Sequence, residues 1–233
     1  MNTQLLQAIA VIGPVLLFSV IAHEIAHGYA ALRQGDPTAK ELGRLTWNPI
    51  KHIDPFLTLL LPAVMYAAGG AILAGAKPVP VNPRNYREYR KGDIIVSLAG
   101  VATNFAIAVG CTVLIVVVGL LGRAAPALAP VLGYFQAMLH FGVLLNWVLI
   151  VFNLLPIPPL DGSHVLKHFL PLPLARAYVD IGGRFGFLIL IALVFFWRDG
   201  LRLVFRPAFA AALAFLEPTA GFLLPEARAW AVL

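Results

Sequence analysis

Six long apolar runs divide the chain, at about residues 4 to 31, 55 to 76, 94 to 121, 131 to 155, 181 to 197 and 203 to 224. About 20 apolar residues in a helix cross the roughly 30 Å of hydrocarbon in a bilayer. Backbone in lipid must also satisfy its own hydrogen bonds, which leaves closed barrels and helices, and runs of this length are helical. Composition agrees: 60% of the 233 residues are hydrophobic and 12% charged, with a mean hydropathy of +0.85, against about 45–50% apolar and about 25% charged in soluble domains. A soluble fold is excluded, and the expected architecture is an all-α membrane protein, a multi-pass transmembrane helix bundle in the lipid bilayer.

The net charge of +6 does not call for nucleic acid, because the cations gather in loops. Arg33, Lys40, Arg44 and Lys51 follow the first run, and Lys77, Arg84, Arg87, Arg90 and Lys91 precede the third. Such clusters mark cytoplasmic loops. The opening "MNTQ" holds no lysine or arginine, so the first run reads as a retained span and not a cleaved signal. Cys111, the single cysteine, reads as a packing residue. No repeat, low-complexity tract or long polar stretch divides the chain. It is expected to be one membrane-embedded domain over 1–233, with a catalytic core at about 4–170 and further helical segments over 171–233. Nothing in the sequence sets an oligomeric state.

Inside the first run stands "VIAHEIAHGYAA" (20 to 31). His23 and His27 are four apart, so on a helix both rings leave one face and can meet the same ion. Glu24, beside the first, can take a proton from metal-activated water. A carboxylate within a span costs at least about 2.5–3.5 kcal/mol at mid-bilayer, and such residues are retained for function. Catalytic zinc takes three protein ligands and keeps one position open. The third ligand is expected from "NLLPIPPLDGSHVLKH" (153 to 168). Pro156, Pro158 and Pro159 break any helix there, and unwound backbone at membrane depth must line protein or water. Asp161 is the carboxylate placed to enter that cavity.

Together, HExxH on an early span and N-x-x-P-x-P-x-L-D-G on a later one resemble the site-2 protease family of intramembrane zinc metalloproteases. The resemblance extends through "GRLTWNPIKHIDPF" (43 to 56), "AKPVPVNPRN" (76 to 85) and "LAGVATN" (98 to 104). It covers residues 20 to 170 and fits the small prokaryotic branch without PDZ or CBS domains. One departure is Val101, where the family often has proline after the "AG" pair. The resemblance implies one Zn²⁺ per chain held by His23, His27 and Asp161, with Glu24 as general base and Asn153 as a hydrogen-bond donor to the oxyanion. It implies hydrolysis of peptide bonds in or near the transmembrane segments of protein or peptide substrates. The alternative is a catalytically silent zinc-binding scaffold or chaperone, against which an intact Glu24 argues, since a binding site needs ligands but no base.

Both motifs lie near the C-terminal ends of their runs, so the first and fourth must run parallel for the ligands to share one depth. The proline- and glycine-rich segment 55 to 76 is therefore expected to re-enter or lie alongside without crossing. The site would face the cytoplasmic side of the cell membrane. In "KPVPVNP", residues 78 to 82 are expected to be extended, with Val79 and Val81 offering one edge to an unwound substrate. His164 and His168 are read as ordinary helix residues without a metal, His52 and Asp54 as an interfacial turn, and His140 is given no role.

Overall fold

The computed structural model describes residues 3–55, 58 and 75–230. Among them the regular elements are helices, with no strand, as expected of an all-α membrane protein. The α-helices are α1 (Thr3–Gln34), α2 (Thr38–Glu41), α3 (Tyr89–Ala124), α4 (Ala129–Asn153), α5 (Asp161–Leu166), α6 (Leu172–Phe196) and α7 (Arg198–Leu216). Four stretches of the described residues are long and apolar enough to cross a membrane: Leu6–Gln34, Tyr89–Ala124, Pro126–Asn153 and Asp199–Phe222. They match the first, third, fourth and sixth apolar runs. The run at 181 to 197 falls, but for its last residue, in α6, which begins at Leu172 and is not one of the four. The expected non-crossing segment at 55 to 76 lies, apart from its edges, outside the described residues. Large apolar side chains such as Phe18, Val113, Leu120 and Leu121 are exposed on these helices, as suits helices solvated by lipid.

The chain forms two compact units. The first comprises residues 1–19, 104–150 and 206–233. Its core is Ile115, Val143, Ala212 and Leu216, with Cys111, Trp147 and Phe215 packed against them. Ser19, Asn104 and Asn146 are among the fully buried polar groups that accompany this core. Asn104 donates its amide to Asn146 Oδ1 at 2.7 Å, and Asn146 donates to Ser19 Oγ at 3.0 Å and to the Gly142 carbonyl at 2.8 Å. In a water-poor interior such groups must satisfy one another, and here they tie α1, α3 and α4 together.

The second unit comprises residues 20–103 and 151–205. It opens with α1 ending in a glycine turn. Gly35 has φ of +108°, a conformation that costs glycine least. The Gly35 and Asp36 N–H groups cap the Leu32 and Ala31 carbonyls at 3.2 and 2.9 Å, the paired bonds of a Schellman motif. The same motif ends α2, where Gly43 has φ of +61° and the Gly43 and Arg44 amides reach the Lys40 and Ala39 carbonyls.

Asp36, fully buried, then gathers the loops. Its carboxylate accepts from the Asn82 N–H at 2.6 Å, the Thr38 hydroxyl at 2.5 Å, the Asn85 amide at 2.8 Å and the Thr38 N–H at 3.2 Å. Burial alone would raise this carboxyl, but the four hydrogen bonds outweigh it and hold the group below the usual carboxylate range.

After α4 the prolines stop the helix, as the sequence requires, and the chain turns into α5. Gly162 lets α5 seat on the end of α4. A methyl group there would meet the Leu154 carbonyl and stand 2.7 Å from the Leu155 oxygen. Behind this turn lies α6: Tyr178 donates its hydroxyl to the Pro156 carbonyl at 2.9 Å, while Gly182 and Gly186 lie directly against Pro158. Residues 178, 182 and 186 are one turn apart, so one stripe of α6 supports the proline turn.

Candidate metal centre

His23 and His27 lie where α1 passes through the second unit, and their four-residue spacing puts both rings on one face as expected. The ring centroids are 4.6 Å apart and the planes nearly perpendicular at 80°, so the two Nε2 atoms converge to 3.0 Å. Asp161, the first residue of α5, brings Oδ2 to 3.3 Å from His23 Nε2 and 3.5 Å from His27 Nε2. These are the three groups that could hold a metal ion among the described residues.

Two supports on α3 orient the histidines. His27 Nδ1 lies 2.7 Å from the Val96 carbonyl; since that oxygen only accepts, Nδ1 carries the proton and Nε2 is left with its lone pair. This is the usual outer contact of a metal-ligating histidine. One turn along, Gly100 leaves a slot for His23. A methyl group at Gly100 would stand 2.6 Å from both ring nitrogens of His23.

The donor set fits zinc. Ligands about 2.0–2.1 Å from a tetrahedral ion stand about 3.3 Å from one another, and the observed separations of 3.0, 3.3 and 3.5 Å bracket that value. Asp161 Oδ2 is buried and outside hydrogen-bond geometry with any neighbour, and it points with the two Nε2 atoms at one position. A cation there would satisfy an oxygen that is otherwise buried at a cost.

Glu24, the next residue along α1 from His23, accepts the Val79 N–H through Oε2 at 2.7 Å. Val79 lies in the stretch 75–82, which has no regular secondary structure. Its N–H, read from the sequence as offered to a substrate, is directed at Glu24 instead. Asn153 is the last residue of α4, where the helix gives way to the proline turn, and it stands outside the three-ligand group. His52 is buried in a short 3-10 turn, with Nε2 donating to the Thr46 carbonyl at 2.8 Å.

Sequence reasoning missed three contributors: Val96, Gly100 and Asp93. Asp93, on α3 and 3% exposed, accepts from Lys167 Nζ and His168 Nε2, both at 2.7 Å through Oδ2. His164 Nδ1 lies 3.8 Å from its other oxygen. The histidine pair that the sequence left without an accompanying carboxylate thus meets one from 75 residues away, which anchors the chain just past α5. A lone acid near the start of a long apolar run was the available signal.

Comparison with known proteins agrees with this geometry. The model of peptidase family M50 matches residues 12–193. YwhC of Bacillus subtilis, named as a candidate zinc metalloprotease, is 38% identical over 181 residues, covering 76% of this chain and 77% of YwhC. Rip2 of Mycolicibacterium smegmatis, named in the same way, is 34% identical over 178 residues, covering 76% of this chain and 64% of Rip2. Rip2 of Mycobacterium tuberculosis is 34% identical over 151 residues, with 65% and 54% covered. The chain therefore spans less than two thirds of the mycobacterial relatives. No solved structure matches it. Spanning helices, a zinc-type donor set beside a glutamate, and a family match over most of the chain agree: the chain belongs to peptidase family M50, the site-2 protease family of membrane metalloproteases.

Proposed function

We propose that this metalloprotease hydrolyses peptide bonds in or near the transmembrane segments of membrane proteins, using one zinc ion held by His23, His27 and Asp161. The observation that carries the reading is the convergence of the three ligand atoms at tetrahedral spacing directly beside Glu24. Zinc in such a site polarises a scissile carbonyl and lowers the pKa of a coordinated water to about 7.

The remaining steps fall to the chain. Glu24, hydrogen-bonded through Oε2, has Oε1 to accept a proton from the attacking water and return it to the leaving amine. Asn153, at the mouth of the proline turn, supplies an amide donor for the developing oxyanion. One such donor typically contributes about 2.7–4 kcal/mol. The unwound turn 154–160 admits water at a depth where an unbroken helix would exclude it. The basic residues that follow α1 and precede α3 favour a site on the cytoplasmic side.

The test is purification in detergent, zinc determination, and incubation of wild type and Glu24→Gln with membrane-segment substrates. Wild type should cleave and Glu24→Gln should bind zinc without cleaving. Equal cleavage by both, or zinc binding with cleavage by neither, defeats the reading, and the latter outcome favours a silent zinc-binding scaffold. Labelling of single cysteines placed in the 40–51 loop from either side of the membrane tests the cytoplasmic assignment.

A further inference from the structure

In Pro78-Val79-Pro80 the flanking residues lack an N–H, so Val79 carries the one backbone donor of the three. That donor goes to Glu24 Oε2 at 2.7 Å. The neighbouring chain is held on both sides. The Lys77 N–H donates to the His52 carbonyl at 2.8 Å, the Lys77 carbonyl accepts from Arg44 Nη2 at 2.9 Å, and the Asn82 N–H donates to Asp36 Oδ2 at 2.6 Å. Pro80 confines Val79 to extended backbone and Pro78 fixes its own φ. Val79 is also buried against Gly28, one helical turn beyond Glu24. A methyl group at Gly28 would meet Leu45 and stand 3.0 Å from Val79 Cγ1. The donor is therefore single, stiff and seated on the helix that carries the glutamate.

We propose that Val79 is a positioning residue, whose backbone N–H fixes the Glu24 carboxylate through Oε2 and leaves Oε1 free to face the attacking water. This rests on Glu24 being the general base, as proposed above. A glutamate in a cavity has several rotamers, of which few aim at the reacting water. A short hydrogen bond to a charged acceptor selects one in advance. The same contact removes the Val79 N–H from the set of donors available to an extended substrate, so the proline pair serves the enzyme's own glutamate.

Two substitutions separate the donor from the side chain. Val79→Ala keeps the N–H and removes the side-chain contact with α1, whereas Val79→Pro removes the N–H at a position already confined to extended backbone. Each variant is purified with wild type, and zinc per chain, thermal stability, kcat and KM on a membrane-segment substrate are measured. Val79→Pro should bind one zinc per chain, keep KM within about twofold and lose kcat by about ten- to a hundredfold, the range for a hydrogen bond to a charged group. Val79→Ala should keep kcat within about threefold. Wild-type or faster turnover by Val79→Pro overturns the proposal, as does an equal loss in Val79→Ala.

Should Val79→Pro fail to fold, Gly28→Val decides, since it pushes the segment away with its donor intact. Loss of kcat with zinc retained supports the proposal and full kcat overturns it. An inactive Glu24→Gln beside a fully active Val79→Pro refutes the positioning role alone, whereas an active Glu24→Gln refutes the base assignment itself.

Discussion

Replacing Gly100 with alanine should damage the metal site while leaving the helix sound. The added methyl would stand 2.6 Å from His23 Nδ1 and Nε2, whereas non-bonded heavy atoms settle at about 3.5–4.0 Å. The imidazole must therefore shift by about 1 Å, since α3 is a continuous helix from Tyr89 to Ala124 and its backbone gives little. Zinc–ligand distances tolerate about 0.2 Å. The loss should thus be at least that of removing an outer-shell support, about 10–100-fold in metal affinity, or about 1.4–2.8 kcal/mol. The helix itself gains, because alanine is favoured over glycine in a helix interior by about 0.5–1 kcal/mol. Zinc affinity by competition with a chelator, combined with thermal unfolding of the metal-stripped protein, distinguishes the two effects. The expected result is weaker zinc binding, with overpacking in the metal-free protein, about 1–3 kcal/mol, partly offset by the gain in the helix. Unchanged zinc affinity would refute the view that Gly100 shapes the slot for His23.

Asp36→Asn should destabilise the protein by about 1–3 kcal/mol at neutral pH through mismatched buried donors. It should also flatten the acid limb: the folded Asp36 carboxyl lies below its ordinary value of 3.8, so its contribution is full above about pH 4 and fades as pH falls toward the folded value. Unfolding midpoints measured from pH 3 to 7 check both. Asp93→Ala leaves Lys167 and His168 without their buried partner and should cost about 3–5 kcal/mol in thermal or denaturant unfolding. Gly186→Ala should destabilise and lower zinc content, since its methyl would press on the Pro158 backbone, while Gly183→Ala, with nothing within 4 Å, should be neutral. Equal effects at 183 and 186 would show that α6 does not support the proline turn.

The spans and the three groups that converge at His23, His27 and Asp161 were legible because each leaves a local pattern. Apolar runs report helices in lipid whatever their neighbours are, and His23, Glu24 and His27 share one helix face by spacing alone. Asp161 was readable because the prolines around it could be explained only by a cavity. Contacts across long separations were not readable. His27 meets Val96 over 69 residues and Glu24 meets Val79 over 55, and both partners use backbone atoms, to which residue type gives no clue. Val79 was read with Val81 as one edge offered to a substrate, whereas its N–H bonds Glu24 in this structure. The start of α6 at Leu172 escaped as well, because Arg176, Asp180 and Arg184 interrupt its apolar pattern, and Arg184 pairs with Asp180 at 3.2 Å one turn away.

Glycine in these helices follows from the solvent. Lipid gives no hydrophobic drive for helices to associate, so they are held by close packing, and small residues permit it. At the metal centre the same device sets chemistry as well as stability. Gly100 admits the His23 ring, Gly28 admits the segment that holds Glu24, and Gly162 seats the turn that carries Asp161. His23, the segment that bonds Glu24, and the turn that carries Asp161 are thus each seated in part by an absent side chain, beside the backbone partners that orient His27 and Glu24. Substitutions at Gly100 and Gly28, where side chains are the atoms met, should therefore lower metal affinity or turnover more than they lower stability, the reverse of the order expected at the buried acids Asp36 and Asp93.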